Sequence, residues 1–373
     1  MRPSYPAYRI LILGVSRVDL VVVTSRHGQN LASVLENFSC FFYNPSERPP
    51  IWCLRFWFHR IFMVTKVPPA LRTLVTITRL LSAKGVLSTD SYSALADAEH
   101  HLGNTKLFWV QHGLFLDQRL DVLKREDEPP DRTSSITLFA VSPYDIEHYR
   151  RWGVRPAQTL PVGSLQNSFF LKNIRQSVKS ADSYDICLVE KGIKVDPDSE
   201  IGNLRKASWF DFLVAFNEFC LTRDLKVILA LSRSSDIANT LEWIRTIFTC
   251  DFTITELQDE FSTYKAVDAA TLTIGQASTV LIEALCRQKK ILAFNYTNLG
   301  YWDLPGAGLS HMNSPTYEML CERIDTLLPM SWETYWSNLP EELKELTVDE
   351  PAEAISTINK VLRAELQSEP GLH

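Results

Sequence analysis

Residues 271–295, TLTIGQASTVLIEALCRQKKILAFN, constrain the fold of this chain more than any other stretch. An apolar strand ends at Gly275, a helix is predicted for residues 278–288, and a second apolar strand follows at 290–294. Short apolar runs of this kind are typical of buried strands, and the segment between them has helical periodicity. The stretch therefore predicts a strand–turn–helix unit of an α/β domain.

The turn in this unit is predicted to bind an anion. Gly275 allows the backbone to turn tightly and to approach a ligand closely. Ser278 or Thr279 can cap the helix, whose free N–H groups and positive dipole end favour a phosphate or a carboxylate. Glu283 lies at the edge of the apolar face, about one turn into the helix. That face is predicted from four apolar residues: Val280, Leu281, Ala284 and Leu285.

The same alternation of strands and helices extends over most of the chain. Strands are predicted at 9–15, 20–24, 38–43, 85–89, 106–111, 137–141, 159–162, 185–189, 225–231 and 252–255. Helices are predicted at 29–37, 91–101, 143–152, 204–222, 237–248, 315–328 and 352–366. A polar stretch at 165–183 separates two runs of the alternation and is interpreted as a linker. The pattern predicts two α/β halves with a central cleft and ligands at the carboxyl ends of the strands.

Composition narrows the class of protein. The chain has 373 residues, enough for two domains, with 45% hydrophobic residues, 22% charged residues and a net charge of −6. No stretch is long and apolar enough to span a membrane, and the N-terminus lacks the layout of a signal peptide. The seven scattered cysteines match no metal-binding pattern, so a reducing cytoplasm is expected. No G-x-G-x-x-G motif follows the first strand, so the dinucleotide fingerprint is absent.

Residues 48–89 contain seven Lys or Arg and no acidic residue, interleaved with aromatic side chains such as Phe56 and Trp57. A basic segment with an aromatic face can lie on an anionic membrane surface. The alternative is that the aromatic residues belong to the core and the bases line the rim or an anionic-substrate channel. Nucleic acid is disfavoured as a partner, because the whole chain is acidic and carries no nucleic-acid-binding motif.

His112 follows the end of a predicted strand and precedes Gly113, so its imidazole can project into the cleft. A histidine that titrates near neutrality can take a proton from an acceptor hydroxyl or hydrogen-bond a donor carboxylate. The alternative is a structural histidine that binds a nearby carbonyl.

Two further strand ends carry polar residues. Glu190 is a candidate nucleophile toward an anomeric carbon or an acid/base, and Lys191 can hold an anionic sugar or a phosphate, with a surface salt bridge as the alternative. Ser232 and Arg233 follow another strand, where the guanidinium can neutralise a phosphate or diphosphate, with helix capping and solvent contacts as the alternative. No Asp-x-Asp follows a strand and no His/Cys cluster has ligand spacing, so no catalytic metal is predicted.

The order of motifs resembles that of a known family. The two-domain layout is similar to the GT-B glycosyltransferases, and the motif order resembles the bacterial capsule and O-antigen surface-carbohydrate enzymes, β-Kdo transferases among them. The resemblance implies two Rossmann-like domains and covers residues 88–295. The matching motifs are Gln111-His112-Gly113, FAVSPYDIEHYRRWGVRPAQTLPVGSLQN at 139–167, DICLVE at 185–190, ILALSRS at 228–234, and the unit at 275–295.

The resemblance also implies roles for residues of the second domain, where the donor nucleotide would bind. Hydroxyl and N–H groups of Gln276, Ser278 and Thr279 would hold the donor phosphate. Glu283 would hold a ribose or sugar hydroxyl, unless it only pairs with Arg287 at the i, i+4 spacing. The remaining predicted donor-binding residues are Gly113, Lys191, Ser232, Arg233 and Gly275. A carboxylate nucleophile is expected in the family, and Glu190, Asp117 and Asp196 stay open for that role.

These expectations define a predicted function. Residues 1–168 would form an acceptor-side domain, 184–340 a nucleotide-sugar-binding domain, and 341–373 a C-terminal helix and tail. The chain would be a metal-independent glycosyltransferase that uses no cofactor besides its donor, a CMP-linked ulosonic acid such as Kdo. The acceptor would be a saccharide or a lipid-linked molecule, and the protein would be cytoplasmic or peripheral on the inner face of the plasma membrane. The alternatives are a CDP-polyol phosphotransferase of the teichoic-acid type and a non-catalytic nucleotide-sugar-binding subunit.

Overall fold

The computed structural model describes residues 17–24, 29–45, 56, 60–61, 64, 66–89, 92–111, 113, 132–151, 153–175, 184–190, 200–231, 237–255, 260–297, 299–300, 303–306 and 308–367. The strand predicted at 9–15 lies outside these residues.

The first sheet has six strands, and every neighbouring pair is parallel. The strand order is β2-β1-β3-β4-β5-β6, so the chain leaves β1 first to one side and then to the other. The strands are β1 (Leu20–Val23), β2 (Cys40–Tyr43), β3 (Gly85–Ser88), β4 (Lys106–Val110), β5 (Arg132–Ala140) and β6 (Val154–Pro161). The helices between them are α1 (Gln29–Leu35), α2 (Arg72–Leu80), α3 (Tyr92–Leu102), α4 (Pro143–Arg151) and, after β6, α5 (Leu165–Asn173).

The second sheet also has six parallel strands, in the order β12-β11-β10-β7-β8-β9, so its chain reverses direction after three strands and not after two. Its strands are β7 (Tyr184–Val189), β8 (Val227–Ala230), β9 (Phe252–Ile254), β10 (Ala270–Gly275), β11 (Lys290–Asn295) and β12 (His311–Asn313). The helices are α6 (Glu200–Leu221), α7 (Ile237–Ile247), α8 (Ser262–Asp268), α9 (Thr279–Cys286), α10 (Tyr317–Leu327), α11 (Trp332–Ser337) and α12 (Glu341–Lys344). The strand order reverses between β7 and β10, which makes their carboxyl ends the switch point where ligands bind in such sheets.

The central strands are buried on both faces, as parallel sheets covered by helices require. All four residues of β1, β3 and β8 are buried, and so are all six of β11. Aromatic side chains of α6 cover the second sheet, where Phe212 stacks on Phe294 of β11 with ring centroids 3.9 Å apart. Apolar burial on this scale is the main source of stability in both sheets.

The last helix, α13 (Ala354–Gln367), completes the first sheet's core, although it follows the whole second sheet in the sequence. Its buried residues recur every four positions: Ala354, Ile358, Leu362 and Leu366. The Asn359 side chain donates a 2.7 Å hydrogen bond to the Val34 carbonyl at the end of α1. Contacts divide the described residues into two units, one made of those within 17–113, 132–169 and 352–367, the other of those within 170–351.

The predicted fold class is confirmed, with two parallel sheets flanked by helices, but some elements differ from prediction. The linker interpretation of 165–183 is wrong for its first half, because α5 occupies that stretch. The polar residues of this stretch suggested a loop, but Ser168 is fully buried, and its hydroxyl donates a hydrogen bond to the Ala352 carbonyl. Strands β5 and β6 begin five residues earlier than predicted, at Arg132 and Val154. Helix α8 and strand β12 were not predicted.

Candidate functional site

The carboxyl edge of the second sheet brings two predicted site segments together. Gly275 at the end of β10 is paired with Val189 at the end of β7, and with Ala293 of β11 on its other side. The chain therefore leaves β7 at Glu190 and β10 at Gln276 from adjacent strands at the same edge. This is where side chains from a parallel sheet can converge on one ligand.

Gly275 allows these two strands to approach closely. A Cβ placed on it would lie 2.9 Å from the Val189 carbonyl oxygen, a distance that backbone atoms cannot accept. The sequence predicts that this glycine permits a tight turn and the close approach of a ligand to the backbone. The geometry adds a second reason for glycine, because any side chain would collide with the β7 backbone.

Gln276 and Ser278 are the distinctive residues of the turn. Their exposed fractions are only 3% and 4%, yet among the described residues neither side-chain amide atom of Gln276 nor the Ser278 hydroxyl has a hydrogen-bond partner. Leaving buried polar groups unpaired costs about 1–3 kcal/mol each, so proteins keep them where another molecule supplies the bond. Both residues lie just before the first turn of α9, where the backbone N–H groups and the helix dipole favour an anion.

Ser278 has the backbone conformation of a helix N-cap but not the side-chain hydrogen bond that usually accompanies it. Its φ of −154° and ψ of 158° are extended, and its side chain makes no capping hydrogen bond. Thr316 and Ser331, which cap α10 and α11, do accept hydrogen bonds from the backbone N–H groups of Met319 and Thr334. The Ser278 hydroxyl is therefore available for a ligand in a position where capping is the rule. Thr279 begins α9 and is half-buried.

Glu283 lies in a buried network behind the turn. Its carboxylate accepts a 2.5 Å hydrogen bond from the Tyr264 hydroxyl of α8, and Glu283 is 5% exposed. Arg287 donates to the Glu283 backbone carbonyl at 3.2 Å and forms a 2.7 Å ion pair with Asp268. Burial first, and the Glu283 carboxylate second, raise the pKa of Tyr264 well above its ordinary value of 10.0, so this phenol remains a hydrogen-bond donor.

Sequence reasoning missed Tyr264 and Asp268 because it did not predict α8. The signal was present, since Tyr264, Val267 and Asp268 follow the i, i+3, i+4 spacing of one helix face, and all three are buried. The seven-residue length and the charged residues of α8 made that pattern easy to overlook.

Glu190 directly follows β7 and is 2% exposed, and its backbone N–H donates to the Ala230 carbonyl at 2.9 Å. The register puts it next to Gln276 along the sheet edge. Lys191, Ser232 and Arg233 lie outside the described residues, as does Asp196. The roles predicted for these residues stay predictions.

In the first unit, Gln111 and Gly113 are described, whereas His112 and Asp117 lie outside the described residues. Gln111 is 3% exposed and donates a 2.7 Å hydrogen bond to the Gly113 carbonyl. The same amide nitrogen donates to Asp145 of α4, also at 2.7 Å. Gln111 is therefore bonded both to Gly113 and to α4.

None of the described His, Cys, Asp and Glu side chains form a group of three or more that could hold a metal ion. In the same part of the chain, every helix is too short or too polar to cross a membrane.

Comparison with known proteins identifies the fold. A scan against models of protein families finds no match, and neither does a search of curated proteins. The UDP-GlcNAc 2-epimerase of Methanocaldococcus jannaschii, solved with UDP-GlcNAc and UDP, is similar with a TM-score of 0.56 at 12% identity, over 92% of this chain and 99% of the epimerase.

Two further solved structures have the same architecture. A glycosyltransferase of Rickettsia africae matches with a TM-score of 0.50 at 10% identity, over 97% of this chain and 93% of that chain. The wall teichoic acid polymerase TagF, solved with CDPG, matches with a TM-score of 0.50 at 12% identity, over 93% of this chain and 88% of that chain. At these identities the likeness is one of fold, and it confirms the predicted class of two Rossmann-like domains, GT-B.

Proposed function

We propose that this chain is a glycosyltransferase of bacterial surface-polysaccharide synthesis, which transfers a sugar from a nucleotide-linked donor to a saccharide or lipid-linked acceptor. The observation that carries the proposal is the pair of buried, unpartnered side chains Gln276 and Ser278 at the start of α9. A diphosphate or phosphate ester supplies acceptor oxygens for these donors and negative charge for the helix dipole. The likeness to an epimerase solved with UDP-GlcNAc and UDP supports a nucleotide sugar as the ligand.

In this proposal the donor lies along the carboxyl edge of the second sheet. Gly275 leaves room for it, Gln276, Ser278 and Thr279 hold its phosphate, and Glu283 binds a ribose or sugar hydroxyl. Further donor contacts come from Gly113, Lys191, Ser232 and Arg233. The leaving phosphate is stabilised by the α9 N-terminus and basic side chains, so no metal is required.

His112 takes the proton of the acceptor hydroxyl in this mechanism. A carboxylate, Glu190 or Asp117, acts at the anomeric carbon as nucleophile or base. The position of Glu190 supports such a role, because this buried carboxylate directly follows β7 at the carboxyl edge of the sheet, where the donor is proposed to bind.

The donor is proposed to be a CMP-linked ulosonic acid such as Kdo, and the site of action the inner face of the plasma membrane. Residues 48–89 would contact the acceptor or the anionic lipid surface. Two described side chains of this segment differ in exposure. Phe56 is fully buried, as a core residue would be, whereas Ile61 is 52% exposed, as a residue that contacts a lipid surface would be.

Replacing Gln276 by leucine tests the donor site. Removal of an unpaired buried amide should leave the free energy of unfolding unchanged or raise it by about 1–3 kcal/mol. The same change should weaken nucleotide-sugar binding at least tenfold, measured by titration calorimetry. Gln158→Leu, at an exposed position of β6, is the matched control and should leave the affinity unchanged. Unaltered affinity in Gln276→Leu would remove this turn from the donor site.

Ligand choice and product chemistry test the finer parts of the proposal. Binding of UDP without any binding of CMP or CDP would make the CMP-linked donor wrong. A glycosidic bond in the product is expected, whereas a phosphodiester would identify a polyol phosphotransferase. Nucleotide binding without donor hydrolysis or transfer, across a broad donor panel, would identify a non-catalytic binding subunit.

A further inference from the structure

Asp303 is a carboxylate held in place at the carboxyl edge of the second sheet, eight residues after Asn295 at the end of β11. Its Oδ1 accepts a hydrogen bond from Asn295 Nδ2 at 2.6 Å and lies 3.0 Å from His311 Nε2. Its Oδ2 accepts from Asn313 Nδ2 at 3.2 Å, and the side chain is nevertheless 31% exposed. Contacts from two strands therefore fix the direction of a charged group that solvent can reach.

The surroundings of His311 determine where its imidazole carries a proton. Its Nε2 lies 3.0 Å from Asp303 Oδ1 and 3.0 Å from Asn313 Oδ1, and both of these oxygens are acceptors. Asn313 presents its oxygen to the imidazole because its nitrogen donates to Asp303. Nε2 must therefore carry a proton and share it between the two oxygens. In the neutral imidazole this leaves Nδ1 with a lone pair and no proton.

The Nδ1 atom of His311 is buried and has no hydrogen-bond partner among the described residues. The whole His311 side chain is only 8% exposed. Arg323 is close to His311, but its Nη1 donates to the backbone carbonyls of Gly308 and Leu309, at 2.7 Å and 2.9 Å. A buried acceptor without a donor is costly, so a water molecule or a ligand hydroxyl is needed to supply one.

The sheet register aligns His311 with the candidate donor turn. Gly275 at the end of β10 pairs with Ala293 of β11, and Ala293 pairs with His311 of β12. Residues that pair in this way point to the same face of the sheet, and neighbouring strands lie about 4.8 Å apart. His311 therefore lies about 10 Å from Gly275, with only the methyl group of Ala293 between them in that row. A nucleotide sugar whose phosphate lies at the turn is long enough to reach this position.

We propose that Asp303 and His311 form the subsite for the sugar of the donor and bind its hydroxyl groups. The inference rests on the proposed function and adds the chemistry that the sugar must offer. Both groups are acceptors, a carboxylate and an imidazole Nδ1, so they match the O–H donors of a sugar. A phosphate brings acceptor oxygens and negative charge, which the like charge of Asp303 repels. The hydroxyl groups of the ligand therefore face this subsite, and its phosphate faces the start of α9.

Calorimetry on the full chain tests this subsite with two nucleotides and their sugar conjugates. The probes are UDP with UDP-GlcNAc, and CMP with CMP-N-acetylneuraminic acid. Asp303→Asn keeps the side-chain shape and an oxygen for Asn295 and His311, but removes the charge. For a conjugate that the wild type binds, it should weaken binding about 10- to 100-fold and leave the affinity for the nucleotide alone within about twofold. Equal loss for both ligands, or no loss for either, would overturn the inference.

Asp325→Asn is the matched control for this substitution. Asp325 is a 47% exposed carboxylate that pairs with Arg223 at the surface of the same unit. Its substitution should leave the affinities for nucleotide and conjugate unchanged. If Asp303→Asn does not fold, His311→Phe replaces it, because phenylalanine keeps a planar ring and removes both nitrogens. The same selective loss of conjugate binding is expected, and its absence in folded His311→Phe contradicts the inference.

A spectroscopic arm separates failure of this inference from failure of the proposed function. In protein labelled at its eight histidines, the imidazole NMR signal that disappears in His311→Phe belongs to His311. Glucose, a neutral sugar without a phosphate, should shift that signal in the wild type and not in Asp303→Asn. A signal that moves neither with glucose nor with the conjugates would assign Nδ1 to a buried water and overturn the inference. A signal that responds to glucose, in a protein that binds neither conjugate, would support the subsite and contradict the proposed nucleotide-sugar donor.

Discussion

At the scale of single residues, a buried ion pair supports the candidate donor turn. The Arg287 side chain is 0% exposed and that of Asp268 is 6% exposed, and Nε and Oδ1 are 2.7 Å apart. The guanidinium also lies over the rings of Tyr264 and Phe170, with its central carbon 4.5 Å and 5.3 Å from their centroids. Such a pair is weak evidence for net stability, but removing one partner leaves an uncompensated buried charge.

Arg287→Met should therefore destabilise the protein by about 3 kcal/mol, measured by urea unfolding. Arg175 also approaches Asp268, at 3.3 Å, and limits the loss. Arg223→Met is the matched control, because Arg223 pairs with Asp325 at the surface and such pairs contribute less than about 1 kcal/mol. Equal losses in the two variants would contradict the argument from burial.

Gly275→Ala tests the close approach of β7 and β10. The added methyl meets the Val189 carbonyl at 2.9 Å, so the strands must separate at the edge where the donor is proposed to bind. We expect a loss of about 1–3 kcal/mol in stability, together with weaker nucleotide binding in calorimetry.

Gly85→Ala in β3 is the control for this substitution. Its added methyl meets only side-chain atoms, of Leu20 and Leu366 at 3.0 Å and of Phe108 at 3.1 Å, in the core of the first unit. It should cost stability and leave nucleotide affinity unchanged. A similar fall in affinity in both glycine variants would show that the effect is not local to β10.

At the scale of elements, the described N-cap residues of the second sheet's helices include three with a hydroxyl, Ser278, Thr316 and Ser331, and they differ in whether that hydroxyl makes a capping bond. Thr316 and Ser331 bind the N–H groups of their own helices, whereas Ser278 does not. The start of α9 thus combines a buried hydroxyl without a partner among the described residues and the switch point of the sheet.

Substituting two of these hydroxyl residues separates binding from stability. Ser278→Ala should weaken nucleotide binding and change the free energy of unfolding little, because no capping bond is lost. Ser331→Ala should cost about 0.5–2 kcal/mol and leave the affinity unchanged. Calorimetry and urea unfolding on both variants provide the measurements. A stability loss in Ser278→Ala equal to that in Ser331→Ala would make Ser278 an ordinary cap.

At the scale of the whole molecule, the first sheet depends on residues from the end of the chain. Helix α13 contributes Ala354, Ile358, Leu362 and Leu366 to a core built mainly from β1, β3, β4 and α1. The first unit is therefore complete only after the second has been synthesised, a non-local arrangement that is expected to slow folding.

Leu362→Ala measures this dependence. Leu362 is 0% exposed, so truncation should cost about 2–5 kcal/mol, read from denaturant unfolding. Leu221→Ala is the matched control, because Leu221 at the end of α6 is 64% exposed, and it should stay within about 0.5 kcal/mol of the wild type. Nucleotide affinity should be unchanged in both. A negligible loss in Leu362→Ala would contradict the packing of α13 in this core.

The sequence by itself determined the fold class and most elements, because buried parallel strands and amphipathic helices have distinct periods. Residues 271–295 show this clearly, since β10, α9 and β11 lie where the apolar pattern predicts them. The pattern failed where polar residues are buried. The cost of burying Ser168 in α5 is offset by a hydrogen bond to Ala352, and that of burying Asp268 in α8 by an ion pair with Arg287. Both partners are distant in sequence.

Only the tertiary structure decided which polar residues near the candidate site already have partners. Glu283 and Ser278 are five residues apart in the sequence, and both looked like ligand-binding side chains. In the fold, Glu283 accepts from Tyr264, whereas Ser278 and Gln276 are buried without a partner among the described residues. Periodicity reports which face of an element is buried, but hydrogen-bond partners come from other elements, and their positions depend on how the whole chain packs.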